Sequence, residues 1–326
     1  MPLGKHIMLT ELLNDLRSAS GLQQKTEIQM VANILSKGFT SPFPNGDDAA
    51  ILPVEGGFDL FAGEGFMDEF VATDPWFAGW CGVMVNASDI AAMGGRPVAV
   101  VNALWGGNNT ETRQLLEGMA SASNAYQIPI VGGHTNLRTT QPRLAVSILG
   151  RAQKVLSSFN ALSGQHLVAA IDLRGQYRAP FNNWNASTTA PPERLREDLA
   201  LLPKIAEQEL ASAAKDISQA GLLGTIVMLL ESSKLGATID LSAIPKPLDV
   251  EWHQWLQSFP SFGYLLSCND DSLAKLLSQF HKRDIAAASI GRLNNSSQCR
   301  INHQSETEVF WDLTTTPLTN MGVSHA

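Results

Sequence analysis

The sequence predicts a mixed α/β (α+β) chain of two domains, and three observations carry that expectation. Short apolar runs bounded by Gly, Pro, Asn and Asp alternate with longer stretches of helical period. The alternation occurs twice, on either side of a polar, turn-like stretch from Gln153 to Ser163. At 326 residues the chain also exceeds a usual single domain. The expected domains are residues 1–155 and 156–326. Strands and helices in mixed order fit two layered domains better than one doubly wound sheet.

Taken in order, Leu9–Ala19 and Leu22–Lys37 read as amphipathic helices split at Ser20-Gly21. Leu12, Leu13 and Leu16 make one apolar stripe; Ile28, Val31, Ile34 and Leu35 make the other. The turn-rich S-P-F-P-N-G-D-D then feeds A-A-I-L-P-V, and a short E-G-G turn leads to F-D-L-F-A-G-E-G-F, a strand pair. Asp74 is placed to cap a helix that has Pro75 at its first position and ends at Gly94. A strand over 98–104, a helix from about Thr110 to Tyr126, and a buried strand I-P-I-V-G-G-H-T-N ending in a glycine turn follow. Arg143–Arg151 reads as a further strand.

In the second half His166–Asp172 is a strand, and the stretch from Arg174 to Pro192 reads as one long loop. Helices are expected over Pro192–Leu202, Lys204–Ala214 and the apolar run Gly221–Ser232, with a strand at Ala237–Leu241. A helix near Glu251–Gln257, a strand near Tyr264–Ser267, a helix over Asp271–His281 and a strand near Ile285–Ile290 complete the pattern. The last eighteen or so residues read as irregular.

Composition narrows the function. A net charge of −8 argues against nucleic acid as a partner, because phosphate backbones want a basic surface. Small anionic ligands remain open, since metal ions can mediate those contacts. Cys81, Cys268 and Cys299 lie far apart, without C-x-x-C spacing, which fits a reducing compartment and neither a disulfide framework nor a zinc site. No secretory signal is read at the start, and no apolar run reaches the ~18 residues of a spanning helix. A cytoplasmic protein with no membrane role is expected.

Candidate functional residues cluster at turns and strand ends. Asn86 and Asp89 lie one helical turn apart in N-A-S-D-I-A-A-M-G-G-R-P, on a helix otherwise of core character. They fit a site, or a buried helix whose polar groups bond their own backbone. Asp47 and Asp48 are adjacent carboxylates at a strand mouth, which repel unless a cation or strong donors hold them. N-G-D-D is equally ordinary turn chemistry. Glu64 ends the next strand, in a position where α/β proteins place ligands, or in an exposed acidic loop. His134 follows two glycines that permit close approach of a ligand or a neighbouring strand. Asp216 and Ser218, beside Lys215, precede an apolar helix and fit either phosphate binding or plain capping.

The series G-D-D-A-A-I, E-G-F, N-A-S-D-I-A-A-M-G-G-R-P, V-G-G-H-T, K-D-I-S-Q-A-G-L-L-G and G-A-T-I-D-L resembles the superfamily of aminoimidazole ribonucleotide (AIR) synthetase. That superfamily includes thiamine-monophosphate kinase, selenophosphate synthetase, the hydrogenase-maturation dehydratase and formylglycinamide ribonucleotide synthetase. The resemblance covers about Asn45 to Leu241 and, through F-G-Y-L-L-S-C and A-A-A-S-I-G-R, extends to about Arg292. It implies two α/β domains, with the N-terminal domains of a homodimer pairing into a barrel, and ATP and Mg²⁺ as cofactors. By motif, Asp47, Asp48, Glu64, Asp89 and Asp216 would hold metal, while Asn86, His134, Asp216 and Ser218 would contact the nucleotide.

The implied activity is an ATP/Mg-dependent phosphotransferase (a kinase) or ATP-driven synthetase acting on a small-molecule substrate. Arg174, Tyr177 and Arg178 are candidates to meet an anionic acceptor. The chain also departs from the family pattern. A-G-E stands where T-T-D is common, G-G-H-T where the kinase has G-G-D-T, and Gln219 where that kinase has a second aspartate. No cysteine precedes Cys81, which disfavours selenophosphate synthesis, and the chain ends M-G-V-S-H-A without the dehydratase's cysteine tail. These departures motivate the alternative of a non-catalytic nucleotide-binding or scaffolding dimer that kept the fold.

Overall fold

The computed structural model describes residues 8–35, 41–106 and 109–322. In chain order the elements are α1 (Leu9–Ser18), α2 (Ser20–Thr26), α3 (Ile28–Leu35), β1 (Ala50–Val54), β2 (Gly57–Gly65), α4 (Asp68–Thr73), α5 (Pro75–Ala92), β3 (Arg96–Trp105), α6 (Asn109–Tyr126), β4 (Ile130–Asn136) and β5 (Arg143–Ala152). There follow β6 (His166–Ile171), β7 (Gln176–Tyr177), β8 (Asn183–Asn185), α7 (Pro192–Leu199), α8 (Leu201–Glu207), β9 (Ala213–Asp216), α9 (Gly221–Ser233) and β10 (Gly236–Asp240). The last are α10 (Trp252–Trp255), β11 (Phe259–Pro260), β12 (Gly263–Cys268), α11 (Asp270–His281), β13 (Ala286–Asn294), β14 (Gln298–His303) and β15 (Glu306–Asp312).

These elements form two units, neither continuous in sequence. One comprises Asp48–Leu156 and Ser187–Glu209. The other takes the residues through Asp47, then Ser157–Ala186 and the chain from Leu210 onward.

The first unit is a five-stranded sheet in the order β1-β2-β5-β3-β4. It is antiparallel except for the parallel β3–β4 pair. Side chains alternate across the sheet. Leu60, Val100, Leu104, Leu144, Val146 and Ile148 are buried on the face covered by α5, with α6 packed on α5. The helices cross closely, because Gly79 meets the Leu115 carbonyl and Gly118 meets the Trp76 carbonyl. The opposite face carries Leu52, Phe61 and Val101 in the open. β4 was expected to be buried and to end in a glycine turn; it is an exposed edge strand, and Gly132 and Gly133 lie inside it.

The second unit holds a seven-stranded sheet, β15-β14-β10-β13-β6-β12-β9, and a small sheet β11-β8-β7. The apolar helix α9 supplies much of its core, together with Leu9, Leu12, Leu13 and Leu16 of α1. The expected second N-terminal helix is broken into α2 and α3, and Lys37 lies outside the described residues. The α3 stripe of Val31, Ile34 and Leu35 is exposed rather than packed.

Three further expectations are corrected. The alanine-rich end of the expected helix Lys204–Ala214 enters strand β9 instead, because it pairs with β12. The stretch after Arg174 is only partly loop, since β7 and β8 form a ladder. The tail expected to be irregular is so only in part: β15 runs into it as far as Asp312, paired antiparallel with β14, a strand for which no expectation was set. Among the described residues no helix is long and apolar enough to cross a membrane. Among the described residues no disulfide forms, and all three cysteines are buried.

Candidate functional site

Helix α5 is the element that positions the central pair. Asp74 accepts a hydrogen bond from the Phe77 amide at 3.3 Å, and Pro75 occupies the first turn, so the start matches the sequence expectation. The end is forced at Gly94, whose φ of +78° a side chain would resist, and where an added Cβ would lie 2.7 Å from Ala206 Cβ. Between these ends nearly every residue is buried, including Asn86 and Asp89.

Both polar residues face the sheet. Gly82 approaches Val146 and Leu144, Ile90 approaches Gly150, and Asn86 lies between them on the same helical row. The Asn86 amide nitrogen donates to the Gly82 carbonyl at 2.8 Å, which is the self-bonding alternative realised for half of that side chain. Its Oδ1 is buried and accepts no hydrogen bond within the described residues. A buried carboxamide oxygen left in that state costs about 1–3 kcal/mol. Asp89, 5% exposed, sits beside it on the same face.

Glu64 ends β2 on the helix side, opposite Val146 and so at the level of Gly82. Asp89 is seven residues further along α5, roughly 10 Å at 1.5 Å per residue, so the two carboxylates line one layer without standing side by side. His134 is elsewhere. Its β4 position pairs with Ala103 and lies on the open face with Val101 and Phe61, away from α5. The glycines before it serve strand packing: Gly133 is so close to Asn102 that a Cβ would meet the Asn102 carbonyl oxygen at 2.3 Å.

The acidic pair Asp47–Asp48 is divided between the units. Asp47 has strong donors within its own unit: the Ser157 hydroxyl at 2.6 Å and the Ser158 amide at 3.0 Å. Those two partners had no sequence signal beyond a serine pair in a turn.

In the same unit Asp216 is the buried last residue of β9, paired with Tyr264, and Lys215 beside it is buried too. Ser218 donates its amide to Thr225 Oγ1 at 3.3 Å, and its own Oγ is buried and accepts or donates no hydrogen bond within the described residues. The first turn of α9 is partly used, because the Leu222 amide donates to the Leu256 carbonyl.

Of Arg174, Tyr177 and Arg178, expected to meet an acceptor, the first two are engaged internally. Arg174 forms a two-point pair with the buried Asp172, at 2.8 and 3.1 Å. Tyr177 bonds the Ser258 hydroxyl at 2.7 Å, and burial pushes its phenol above the usual range. Among the described residues no three His, Cys, Asp or Glu side chains gather into a protein-only metal cage.

Residues 46–152 match the family described as AIR synthase related protein, N-terminal domain, and residues 162–304 match AIR synthase related protein, C-terminal domain. The chain belongs to the AIR synthase related family. An uncharacterized protein of Synechocystis sp. is 41% identical over 317 residues, covering 96% of this chain and 98% of its own length. Selenide, water dikinase of Myxococcus xanthus is 26% identical over 251 residues, covering 72% of this chain and 71% of its own.

Among solved structures, T. maritima PurL complexed with ADP superposes with a TM-score of 0.73 at 17% identity. The match covers 91% of this chain and 52% of PurL, so the chain spans about half of that protein's length. AaThiL complexed with AMPPCP and TMP gives a TM-score of 0.65 at 15% identity, covering 86% of this chain and 95% of its own.

Proposed function

We propose that the protein is an ATP- and Mg²⁺-dependent phosphotransferase or ATP-driven synthetase that acts on a small metabolite as a homodimer. The observation that carries this reading is the buried Asn86–Asp89 pair on α5, polar groups held in a core otherwise built of Gly, Ala and large apolar side chains. Family membership supports it, since relatives include an enzyme named a dikinase and fold neighbours described with ADP and with AMPPCP.

The donors fit magnesium. Mg²⁺ takes hard oxygen ligands and is commonly held by one or two carboxylates, water and substrate phosphates instead of a dedicated protein cage. Carboxylates spread along a layer, with the open Asn86 oxygen among them, suit a metal whose shell the phosphates complete. In the unit that carries α5, Asp48, Glu64 and Asp89 would each offer a carboxylate to such ions; in the other unit Asp216 would do so, and Asp47, gripped by Ser157 and Ser158, would set its loop. When bound, the metal would neutralise charge on the transferring phosphoryl group. Asn86 would hydrogen-bond a polar atom of a nucleotide held by its own unit, and Ser218 is the corresponding candidate in the other unit. His134 lies on the open sheet face, the apolar surface that a second copy would cover.

Asp89→Asn is expected to abolish Mg²⁺-dependent ATP turnover while the dimer stays folded; retained turnover would refute the assignment. A second reading, a non-catalytic nucleotide-binding or scaffolding dimer, draws on the placement of His134 on the face away from Asp89. It predicts tight binding of an ATP analogue in a calorimetric titration with no turnover on any candidate acceptor.

A further inference from the structure

The described end of the chain forms a strap across the unit that contains Asp47. The carboxylate of Glu231, on α9, accepts three successive backbone amides: Leu318 at 2.7 Å, Thr319 at 2.8 Å and Asn320 at 3.3 Å. The Thr319 hydroxyl adds a fourth bond at 2.5 Å. Hydrogen bonds to a charged acceptor are roughly twice as strong as neutral ones, so this is a firm anchor. Leu318 is fully buried beneath it. Gln29 Nε2 donates to the Pro317 and Leu318 carbonyls, and Asn320 Nδ2 donates to Asn33 Oδ1.

Beyond the anchor the strap closes on the acidic loop from two sides. Gly46 has a φ of +125°, and a Cβ there would lie 2.6 Å from Met321 Cβ, so the loop backbone rests directly on that side chain. Gly322 rests on the Phe159 ring, where a Cβ would meet Cε1 at 2.3 Å. Phe159 belongs to the turn Ser158–Asn160, which together with Ser157 grips the Asp47 carboxylate. The strap therefore touches both the residue before Asp47 and the turn that holds it.

We propose that Glu231 and Met321 are positioning residues: the strap, anchored on Glu231, fixes the backbone of Asn45–Asp48 and, with Asp47 held by Ser157 and Ser158, prepares Asp48 for a magnesium–nucleotide. The last clause rests on the function proposed above. Glycine at position 46 leaves the loop a wide choice of backbone states, and a side chain packed on it removes that choice before any ligand arrives.

The test uses the full chain as wild type, Glu231→Ala, Glu231→Gln and Met321→Gly, read by amide hydrogen exchange and by titration with an ATP analogue with and without Mg²⁺. In Glu231→Ala, amides of 318–322, 45–48 and 157–160 should exchange about tenfold faster, while β6 and β12 keep wild-type protection. Glu231→Gln, which keeps one acceptor oxygen, should recover part of that protection. The Mg²⁺-dependent part of analogue affinity should fall about tenfold and the Mg²⁺-free part should not move.

Faster exchange in the strap with unchanged protection at 45–48 would overturn the proposal, as would uniform acceleration across the unit. Should Glu231→Ala fail to fold, Met321→Gly removes the side chain that packs on Gly46, leaves the Glu231 anchor in place and must loosen 45–48 more than the strap itself. If the wild type binds no magnesium–nucleotide, the nucleotide reading fails, and the exchange pattern still decides whether strap and loop are coupled.

Discussion

The crossing of α5 and α6 can be tested with one methyl group. An added Cβ at Gly118 would lie 1.8 Å from the Trp76 carbonyl oxygen and 3.0 Å from the Trp80 amide nitrogen. The reciprocal contact at Gly79 is 2.0 Å to the Leu115 carbonyl oxygen. These are backbone atoms, so no rotamer change relieves them. Gly118→Ala must separate the helices by roughly 1 Å, and at that gap the facing atoms of Trp80, Leu115 and Met119 lose a large part of their dispersion attraction.

On an exposed helix the same change would stabilise by about 1 kcal/mol through propensity. Here overpacking costs about 3 kcal/mol and wins, for a net loss of about 2 kcal/mol. Urea unfolding followed by tryptophan fluorescence measures it directly. Because α5 carries Asn86 and Asp89, affinity for the proposed nucleotide should drop in the same variant while its far-ultraviolet circular dichroism stays native. A Gly118→Ala protein as stable as wild type, or more so, would refute the close crossing and the placement of α5 on which the site depends.

Two other measurements reach different parts of the molecule. Burial pushes the Cys299 thiol up to about 12 from a starting value of 9.0, so its stability contribution is fully present below about pH 9 and is lost as pH rises toward 12. Between pH 9 and 10 wild type should lose about 1 kcal/mol relative to Cys299→Ala in urea unfolding, and parallel pH profiles would contradict a protonated buried thiol. Phe61→Asp, placed in the open face of the five-stranded sheet, should shift the proposed dimer to monomer in sedimentation equilibrium without changing the melting of isolated subunits. An unchanged molecular mass would remove that face as the interface.

How much was legible depended on where the deciding contacts lay. The cap at Asp74-Pro75, the glycine stop after α5 and the β1–β2 hairpin are set by neighbours in sequence, and they were readable. The run ending A-S-A-A-K-D has helical propensity, yet its place is fixed by pairing with Tyr264–Ser267, so tertiary contact overrode it. The strand Gln298–His303 gave a weak signal. Cys299 and Ile301 alternate with Arg300 and Asn302, but the two buried positions are too few to outweigh the polar flanks. The three-residue spacing of Asn86 and Asp89 predicted a shared face, and both are buried on α5. The pairing of Asp47 with Ser157 and of Arg174 with Asp172 was invisible, because nothing local distinguishes a carboxylate that holds a turn from one that awaits a cation.

The docking of α1 has a consequence for the order in which the chain can finish folding. Its leucine face packs with the second unit's core, and Arg17 donates to the carbonyls of Val309 and Phe310 on β15. Among the described residues the earliest helix therefore has the latest strand as its partner. At about 5–20 residues per second, Leu9, Leu12, Leu13 and Leu16 wait some 15–60 s for that surface to be synthesised. Most of the other unit, Asp48–Leu156, is made in the interval, so the sheet that carries α5 is complete while the amino-terminal helix is still unsheltered.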